Sequence, residues 1–478
     1  MSAQLTAPAA IVLAAGQGTR MRSRIPKVLH PLAGRPMLDH VLDALADAGV
    51  ARTVVVTGHG ADAVEAAIAD RAGIARQEPQ RGTADAVRVG LQTAPADADE
   101  LIVTMGDVPL QPSDLYAALL AALRTGSAAV ALVSARLDEP SGYGRVVRGA
   151  DGRASAVVEE ADADEATRAI GEINVGTYAF DAAWLREAIG RVQPSASGEY
   201  YLTALVALAA ADGRAVEIVD APDAADAMGI NDRVALAVAE ERMRRLINER
   251  HMRNGVTIVE PTTTRIDAAV EIGQDARIEP GTTLAGTTVI AQDAVIGPNA
   301  HVRDSRIGPR SHVWASVVEE SIVAEDVEIG PFAHLRPGAE IGARCRIGNF
   351  AEVKKTKIGA GTQQHHFSYL GDAEIGENVN VGAGSVTANF DGKVKHRTVI
   401  EDGASIGVDT MMIAPVTIGE GARTGAGAVV TRDVKPGKTV VGMPARPIEM
   451  RRSRSAPAEA GEPSAGQAPV PTGADRNP

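Results

Sequence analysis

A glycine-rich turn, Leu13-Ala14-Ala15-Gly16-Gln17-Gly18-Thr19-Arg20-Met21, follows the apolar run Ile11 to Ala14, and Pro26-Lys27-Val28-Leu29 comes soon after it. Glycines directly after a strand let backbone amides approach a phosphate, and Arg20 and Lys27 add positive charge beside them. No Lys-Ser or Lys-Thr follows these glycines at P-loop spacing, so the turn is a phosphate site of another kind or a plain structural turn. In Met105-Gly106-Asp107-Val108-Pro109 a lone carboxylate closes a second apolar run. At the carboxyl edge of a parallel sheet, Asp107 could hold a metal ion beside a nucleotide. Far downstream, Gln363-Gln364-His365-His366-Phe367-Ser368-Tyr369-Leu370-Gly371-Asp372 carries adjacent histidines. A histidine titrating near neutrality can take the proton from an amine that attacks a thioester carbonyl. A lone histidine at a corner is more often a solvated turn residue. The single cysteine, Cys345, lies between Arg344 and Arg346, which could lower its thiol pKa, yet it sits in an unbroken repeat where a packing or surface role is the better reading.

The elements that must position these residues fall into two kinds. Over 1–230, Ile11 to Ala14, Thr53 to Thr57, Leu101 to Met105 and Ala128 to Val133 read as buried strands, and Pro36 to Ala48 and Ala61 to Ala69 as helices. This alternation predicts a Rossmann-like α/β domain with a largely parallel sheet. Residues 231–254 contain no Gly or Pro and predict a linker helix ended by Gly255.

From 255 to 450 the period changes. Ile266, Ile272, Ile278, Leu284, Ile290, Ile296 and Val302 fall at every sixth position, and the beat resumes at Val323, Ile329, Leu335, Ile341, Ile347 and Val353. Six matches neither a helix nor a lone strand, so each hexad is one short strand and a corner, and three close a triangular coil. About ten coils spaced roughly 4.8 Å apart would build a prism roughly 45–50 Å tall. The pattern resembles the left-handed parallel β-helix of hexapeptide acyltransferases. It falters between Ile358 and Ile375 and again between Ala388 and Thr398, and departures from a repeat are where function is expected. Residues 451–478, rich in Ala, Pro, Gly, Glu and Ser, predict a disordered tail.

With 478 residues the chain exceeds a single core. A formal charge of −13, from 48 basic and 61 acidic side chains, argues against nucleic acid as a partner. The apolar stretch Ala9 to Ala15 is too short to span a membrane, so no membrane insertion is expected, and one cysteine suits a reducing cytoplasm.

The turn at 13–21 with Pro26-Lys27 resembles the L-x-x-G-x-G-T-x-M…P-K signature of sugar nucleotidyltransferases. Together with His366 to Ala373 and Asn380 to Gly392, it makes about residues 9–450 resemble a family of bifunctional UDP-N-acetylglucosamine pyrophosphorylase/glucosamine-1-phosphate N-acetyltransferases. The resemblance implies Leu13, Ala14, Gly16, Lys27, Gln77, Gly82, Thr83, Gly144, Glu159, Asn174 and Asn231 around UTP and the nucleotide sugar, Arg20 and Lys27 as catalytic cations, and Asp107 and Asn231 as Mg²⁺ ligands. Gln77 with Gly82-Thr83 looks like the uracil-reading segment, since amide and backbone groups can match a pyrimidine edge. In the second half it implies His366 as general base, Arg336, Lys354, Tyr369 and Asn380 around the amino-sugar phosphate, and Ala383, Asn389, Phe390, Val408 and Ala426 along the acetyl-CoA groove.

Lys393-Val394-Lys395-His396-Arg397 could reach coenzyme A phosphates or be a solvated loop. The expected activity is acetyl transfer to glucosamine-1-phosphate followed by uridylyl transfer to the product, in a homotrimer with acetyl-CoA sites between neighbours. The rival readings are a sugar-1-phosphate nucleotidyltransferase with a purely structural, trimerising β-helix and a catalytically silent scaffold. Departures from the family pattern are Met105 for tyrosine, Ala84-Asp85 for Gly-His, Val408 for serine, Phe390 for tyrosine and His365 for a small residue.

Overall fold

A computed structural model describes residues 7–126 and 128–448. The expected tail lies outside the described residues.

The first half is a sheet with helices on both faces. Across it the strands run in the order Gly73–Arg76, Arg52–Thr57, Ala9–Leu13, Glu100–Met105, Glu172–Asp181, Ala128–Arg136, Ala215–Asp220. Among these seven strands only Glu172–Asp181 runs against its two neighbours, so the largely parallel sheet expected from the sequence carries an antiparallel strand in its interior, and the antiparallel pair Arg145–Arg148 and Ala154–Val158 joins it at the side. The apolar runs feed two cores because successive strand residues face opposite sides. Ile11, Val54 and Val56 pack with Val87, Leu185 and Leu205 on one face. Ala10, Val12 and Val55 meet Leu38, Val41, Leu115 and Leu119 on the other. Leu13 and Met105 are register partners, so the loops after them leave the sheet side by side. Chain order reverses at this point, which opens a crevice at the strand ends.

The helix Arg233–Arg253 begins at Asp232, whose carboxylate accepts from the amides of Val234 and Ala235, and ends within a residue or two of the predicted bounds. Ala239 packs beneath the first domain, and Ile247 beneath the first coil of the second. Asn248 donates to the carbonyls of Pro261 (3.0 Å) and Thr264 (3.2 Å) and closes that coil from below. The hairpin after Lys27 touches both parts: Ala33 donates its amide to Glu240 (2.8 Å) and accepts from Ala268 (2.9 Å).

The second half is a parallel β-helix of three sheets with twelve, ten and nine strands, taken in that order around each coil. Nearly every inward position is aliphatic and buried. The beat does not pause after Val302: Ile307, Val313, Val318 and Val323 are all interior, reached by steps of five or six residues. A shortened corner keeps the stacking, and a strict period of six misses it. Hydroxyls fill the inner corners, as where Ser311 donates to the carbonyl of Ala324 (2.8 Å) and accepts from the amide of Val327 (3.0 Å). Cys345 is an interior residue, its Sγ donating to the carbonyl of Gly359 at 3.0 Å. Burial pushes its thiol pKa up, against the lowering that Arg344 alone would give.

Of the two interruptions, only the second is an insertion. Between Ile358 and Ile375 the coil is complete, with Gln364 and Leu370 interior. The rhythm falters there because a glutamine replaces an aliphatic residue. Between Ala388 and Thr398 a true loop leaves the coil.

Candidate functional site

The first cleft lies at the reversal of the sheet. Leu13, Ala14, Gly16, Lys27, Gln77, Gly82, Thr83 and Asp107 line one cavity of about 290 Å³, with Gln80, Met105 and Glu199. Gly18 sits at φ 59° and an added Cβ would lie 2.7 Å from Lys27 Cβ, so this glycine lets the lysine stem cross the turn. The Lys27 ammonium forms an ion pair with Asp107 and donates to Asn231 Oδ1 at 2.7 Å. Asp107 and Asn231 are tied through the backbone as well, Ile230 N donating to the Asp107 carbonyl at 2.9 Å. Lys27, Asp107 and Asn231 are therefore one cluster, although more than a hundred residues separate the last two.

The wall that carries Gly144, Glu159 and Asn174 is continuous with it. Gly144 O accepts from Asn174 N at 2.8 Å, and Glu159 accepts from Thr203 Oγ1 at 3.0 Å. Leu202 N donates to Thr83 Oγ1 at 2.9 Å, which joins this wall to the Gln77 and Gly82 end of the cavity. Gly82, at φ 112°, has Tyr200 backbone where a Cβ would stand, so only glycine permits this contact. Burial, followed by weaker repulsion from Asp162 and Glu199, raises the pKa of Glu159 despite the Thr203 bond. Arg20 is exposed on the short turn Thr19–Met21 and is not among the residues lining this cavity, while its charge, like that of Asp107, is felt at Tyr143. The segment Glu199–Thr203 completes the walls. Sequence reasoning missed 199–203, whose role depends on contact across more than a hundred residues.

In the β-helix the expected residues form two lines along two edges. The first runs where the twelve-stranded sheet turns into the ten-stranded one: His366, Ala383, Val408 and Ala426 occupy successive corners. Backbone bonds stack these corners, Gly384 to Phe367 (2.7 Å), Asp409 to Ala383 (2.7 Å) and Gly427 to Val408 (2.8 Å). His366 is exposed, with its ring 6.3 Å from that of His365. The interior residue Gln364 donates to Ser368 Oγ (2.9 Å), which donates to the His366 carbonyl (3.0 Å), so the polar rung braces the histidine turn.

The second line lies one strand away, where the ten-stranded sheet turns into the nine-stranded one. Arg336 and Lys354 sit on successive coils there, and Arg336 Nη1 meets Glu352 Oε1 at 2.6 Å. Tyr369 lies between the two lines, folded over Gly371, where a side chain would collide with its hydroxyl. Asn389 donates to Asp372 on this edge, and Phe390 begins the loop above. Asn380 is on the twelve-stranded face, apart from Arg336 and Lys354. The basic loop folds back on itself: Asp391 accepts from His396 Nε2 (2.7 Å) and from the amides of Lys393 and Val394 (both 2.8 Å), and its pKa falls to about 2, His396 being the largest cause. Lys395 comes within 4.0 Å of Asp372, and its closeness to Lys354 lowers the pKa of that lysine. The loop thus brings its charge to the Lys354 edge.

This combination of a phosphate cleft at a sheet reversal and a histidine on a β-helix corner defines a two-domain nucleotidyl- and acyltransferase. A family model described as MobA-like NTP transferase domain matches residues 10–175, and one described as bacterial transferase hexapeptide (six repeats) matches 320–355 and 397–432. The chain is 47% identical over 435 residues to the bifunctional protein GlmU of Geobacillus thermodenitrificans, covering 90% of this chain and 94% of the relative. It is 46% identical over 472 residues to that of Nocardia farcinica, covering 96% and 95%. The chain belongs to the GlmU family, and it is a bifunctional uridylyltransferase and acetyltransferase of UDP-N-acetylglucosamine synthesis.

Proposed function

We propose that the N-terminal cleft holds UTP with Gln77 and Gly82-Thr83 at the base, the turn at 13–18 and Lys27 at the phosphates, and Gly144, Glu159 and Asn174 at the sugar. A phosphate oxygen of N-acetylglucosamine-1-phosphate attacks the α-phosphorus in line and pyrophosphate leaves. Lys27 offsets the negative charge that develops on the phosphate oxygens and keeps the phosphates aligned. The observation behind this reading is the convergence of the Asp107 carboxylate and the Asn231 amide oxygen on a single cation, the Lys27 ammonium. One carboxylate and one amide oxygen, with phosphate and water completing the shell, suit Mg²⁺. When bound, Mg²⁺ supplies charge neutralisation at the phosphates. The expected result with UTP, Mg²⁺ and N-acetylglucosamine-1-phosphate is pyrophosphate release. A better rate with another base or sugar would replace this substrate pair.

In the C-terminal half we assign His366 the proton taken from the glucosamine-1-phosphate amine as its nitrogen attacks the acetyl-CoA carbonyl; the thiolate of coenzyme A leaves and is protonated. Arg336, Lys354 and Lys395 would hold the sugar phosphate, with Tyr369 and Asn380 beside it, and the corner line Ala383, Val408, Ala426 would carry acetyl-CoA, flanked by Asn389 and Phe390. Two lines on separate edges of one prism support a site closed by a neighbouring copy, as a homotrimer would provide. The edge that carries His366 also carries Trp314, Phe332, Phe350 and Phe367, all at least 46% exposed. Phe332 and Phe350 hold φ 62° and 56°, a backbone state costing roughly 1–2 kcal/mol per residue, with their rings stacked at 5.5 Å. Exposed rings kept at that cost suit burial against another copy. Sedimentation should give three copies, and acetyl transfer should fall when dilution separates them; a monomer with full acetyl transfer would refute the shared site. Among the described residues no helix is long and apolar enough to cross a membrane, and the buried, unpaired Cys345 fits a cytoplasmic setting.

A further inference from the structure

A buried carboxylate lies beneath the base end of the nucleotide cleft. Asp85, in the first turn of the helix Thr83–Gly90, is 3% exposed. It accepts from Gln77 Nε2 at 2.9 Å, from Arg81 Nη2 at 3.0 Å and from the Arg88 guanidinium. Burial alone would push its pKa up, but the bonds from Gln77, Arg81 and Arg88 hold it below the ordinary carboxylate range. At neutral pH Asp85 is therefore ionised and can only accept hydrogen bonds.

This settles what Gln77 can offer. A primary amide has two donor hydrogens and one acceptor oxygen. Gln77 Nε2 gives one hydrogen to Asp85 and the other to the Gly82 carbonyl at 3.2 Å. Rotating the amide would set Oε1 against a carboxylate and a carbonyl, with nothing to donate between them, and leaving buried acceptors so opposed is costly. Gln77 lines the cleft, so Oε1 is the part of its amide left for a ligand. Uracil presents N3–H between two carbonyls, and cytosine presents a lone pair at N3. An acceptor fixed in place favours the first and repels the second.

We propose that Asp85 is a positioning residue for base selection: clamped by Arg81 and Arg88, it fixes Gln77 as a hydrogen-bond acceptor and so selects a pyrimidine nucleotide bearing N3–H over one lacking it. Asp85 acts through Gln77 and meets no ligand itself. The proposal rests on the reading of Gln77 as the residue that faces the base. It also gives a role to the Ala84-Asp85 departure: the carboxylate brings its own arginine partners at Arg81 and Arg88.

The experiment compares kcat and KM for UTP and CTP in the full-length enzyme and in Asp85→Asn, Arg88→Gln and Gln77→Ala, with acetyl transfer by the same chains as the measure of intact folding. An asparagine at 85 can present either an oxygen or an NH₂ to Gln77, so the amide is no longer held one way. Asp85→Asn should raise the KM for UTP about tenfold with kcat within about threefold, and move the UTP-to-CTP preference about tenfold toward CTP. Arg88→Gln, which keeps the carboxylate and alters a half-exposed side chain, should move the preference the same way by a smaller factor, and it serves as the test should Asp85→Asn fail to fold. If Asp85→Asn and Arg88→Gln lower UTP and CTP use in equal proportion, or leave both unchanged, while Gln77→Ala alters the preference, the role of Asp85 is refuted. If Gln77→Ala leaves both KM and preference unchanged, the placement of the base on Gln77 is what fails, and the proposal falls with it.

Discussion

The cleft of the first domain and the edges of the second solve the same problem in opposite ways. In the α/β half, loops that leave adjacent strand ends must converge, and Leu13 beside Met105 is enough to bring Lys27, Asp107 and Asn231 within one ion's reach of each other. In the β-helix no such convergence is available. Corners repeat along straight edges, so His366, Ala383, Val408 and Ala426 form a column, and Arg336 and Lys354 form another. A sheet reversal makes a crevice within one chain, whereas a prism offers rows that need a facing surface to become a pocket. Charge follows the same division. In the cleft the cation Lys27 is paired with Asp107, while the second domain, though Arg336 meets Glu352 and Lys395 approaches Asp372, also gathers Lys354 and Lys395 side by side, where the closeness of Lys395 lowers the pKa of Lys354.

The comparison breaks most readily at its chemical groups. His366→Ala should cost acetyl transfer about 10²–10⁴-fold, read as thiol release, with uridylyl transfer unchanged. Equal loss of both activities would mean that the two halves do not work independently. Lys27→Ala should cut pyrophosphate release about 10²–10³-fold and leave thiol release alone. Gln364→Leu tests the polar rung: an aliphatic residue there restores the repeat and spares stability, but it frees Ser368 and the turn it braces, so acetyl transfer should fall about three- to tenfold with little change in Tm.

Smaller still is the pH response of the junction. Burial, then the neighbouring Arg250, lowers the pKa of His251 to about 4 from 6.5. The unfolded chain binds that proton first, so stability from the neutral histidine is complete above about pH 6.5 and declines as pH falls toward 4. Thermal melts over this range should flatten in His251→Leu. Cys345→Ala should leave acetyl transfer within about twofold, since its thiol faces the interior and not the substrates.

The two domains were also unequally legible. The hexad beat announced the prism because stacking forces one residue type into one repeated environment. Its five-residue steps after Val302 escaped notice, since a shortened corner changes the count without changing what is buried. In the first domain, short apolar strands and the glycine turn marked the cleft, while the antiparallel insertion of Glu172–Asp181 and the docking of Tyr200 onto Gly82 could not be read locally. Arg20 has its expected role from its place in a motif, and its exposed side chain is not among those lining the cavity. For Lys395 the sequence leaves coenzyme A or solvent open, and the structure adds its approach to Asp372, because a sequence does not say toward which edge a loop folds back. Asp85 was noted only as a departure, and its meaning came from three partners that close around it in space.

The lower coils, from Ile258 to about Ile329, carry none of the residues assigned to either reaction, and their lowest strands pair at one offset, Arg265 with Thr283 and Glu271 with Val289, before the shortened corners above reduce it, as for Arg306 with Ile322. They behave as a spacer whose length can be edited. Removing one full turn, such as 265–282, would join matching corners and lower the acetyltransferase edge toward the nucleotide cleft by one rung, about 4.8 Å. Each reaction would keep its own residues intact, so this segment of the chain sets the distance that an intermediate travels between them.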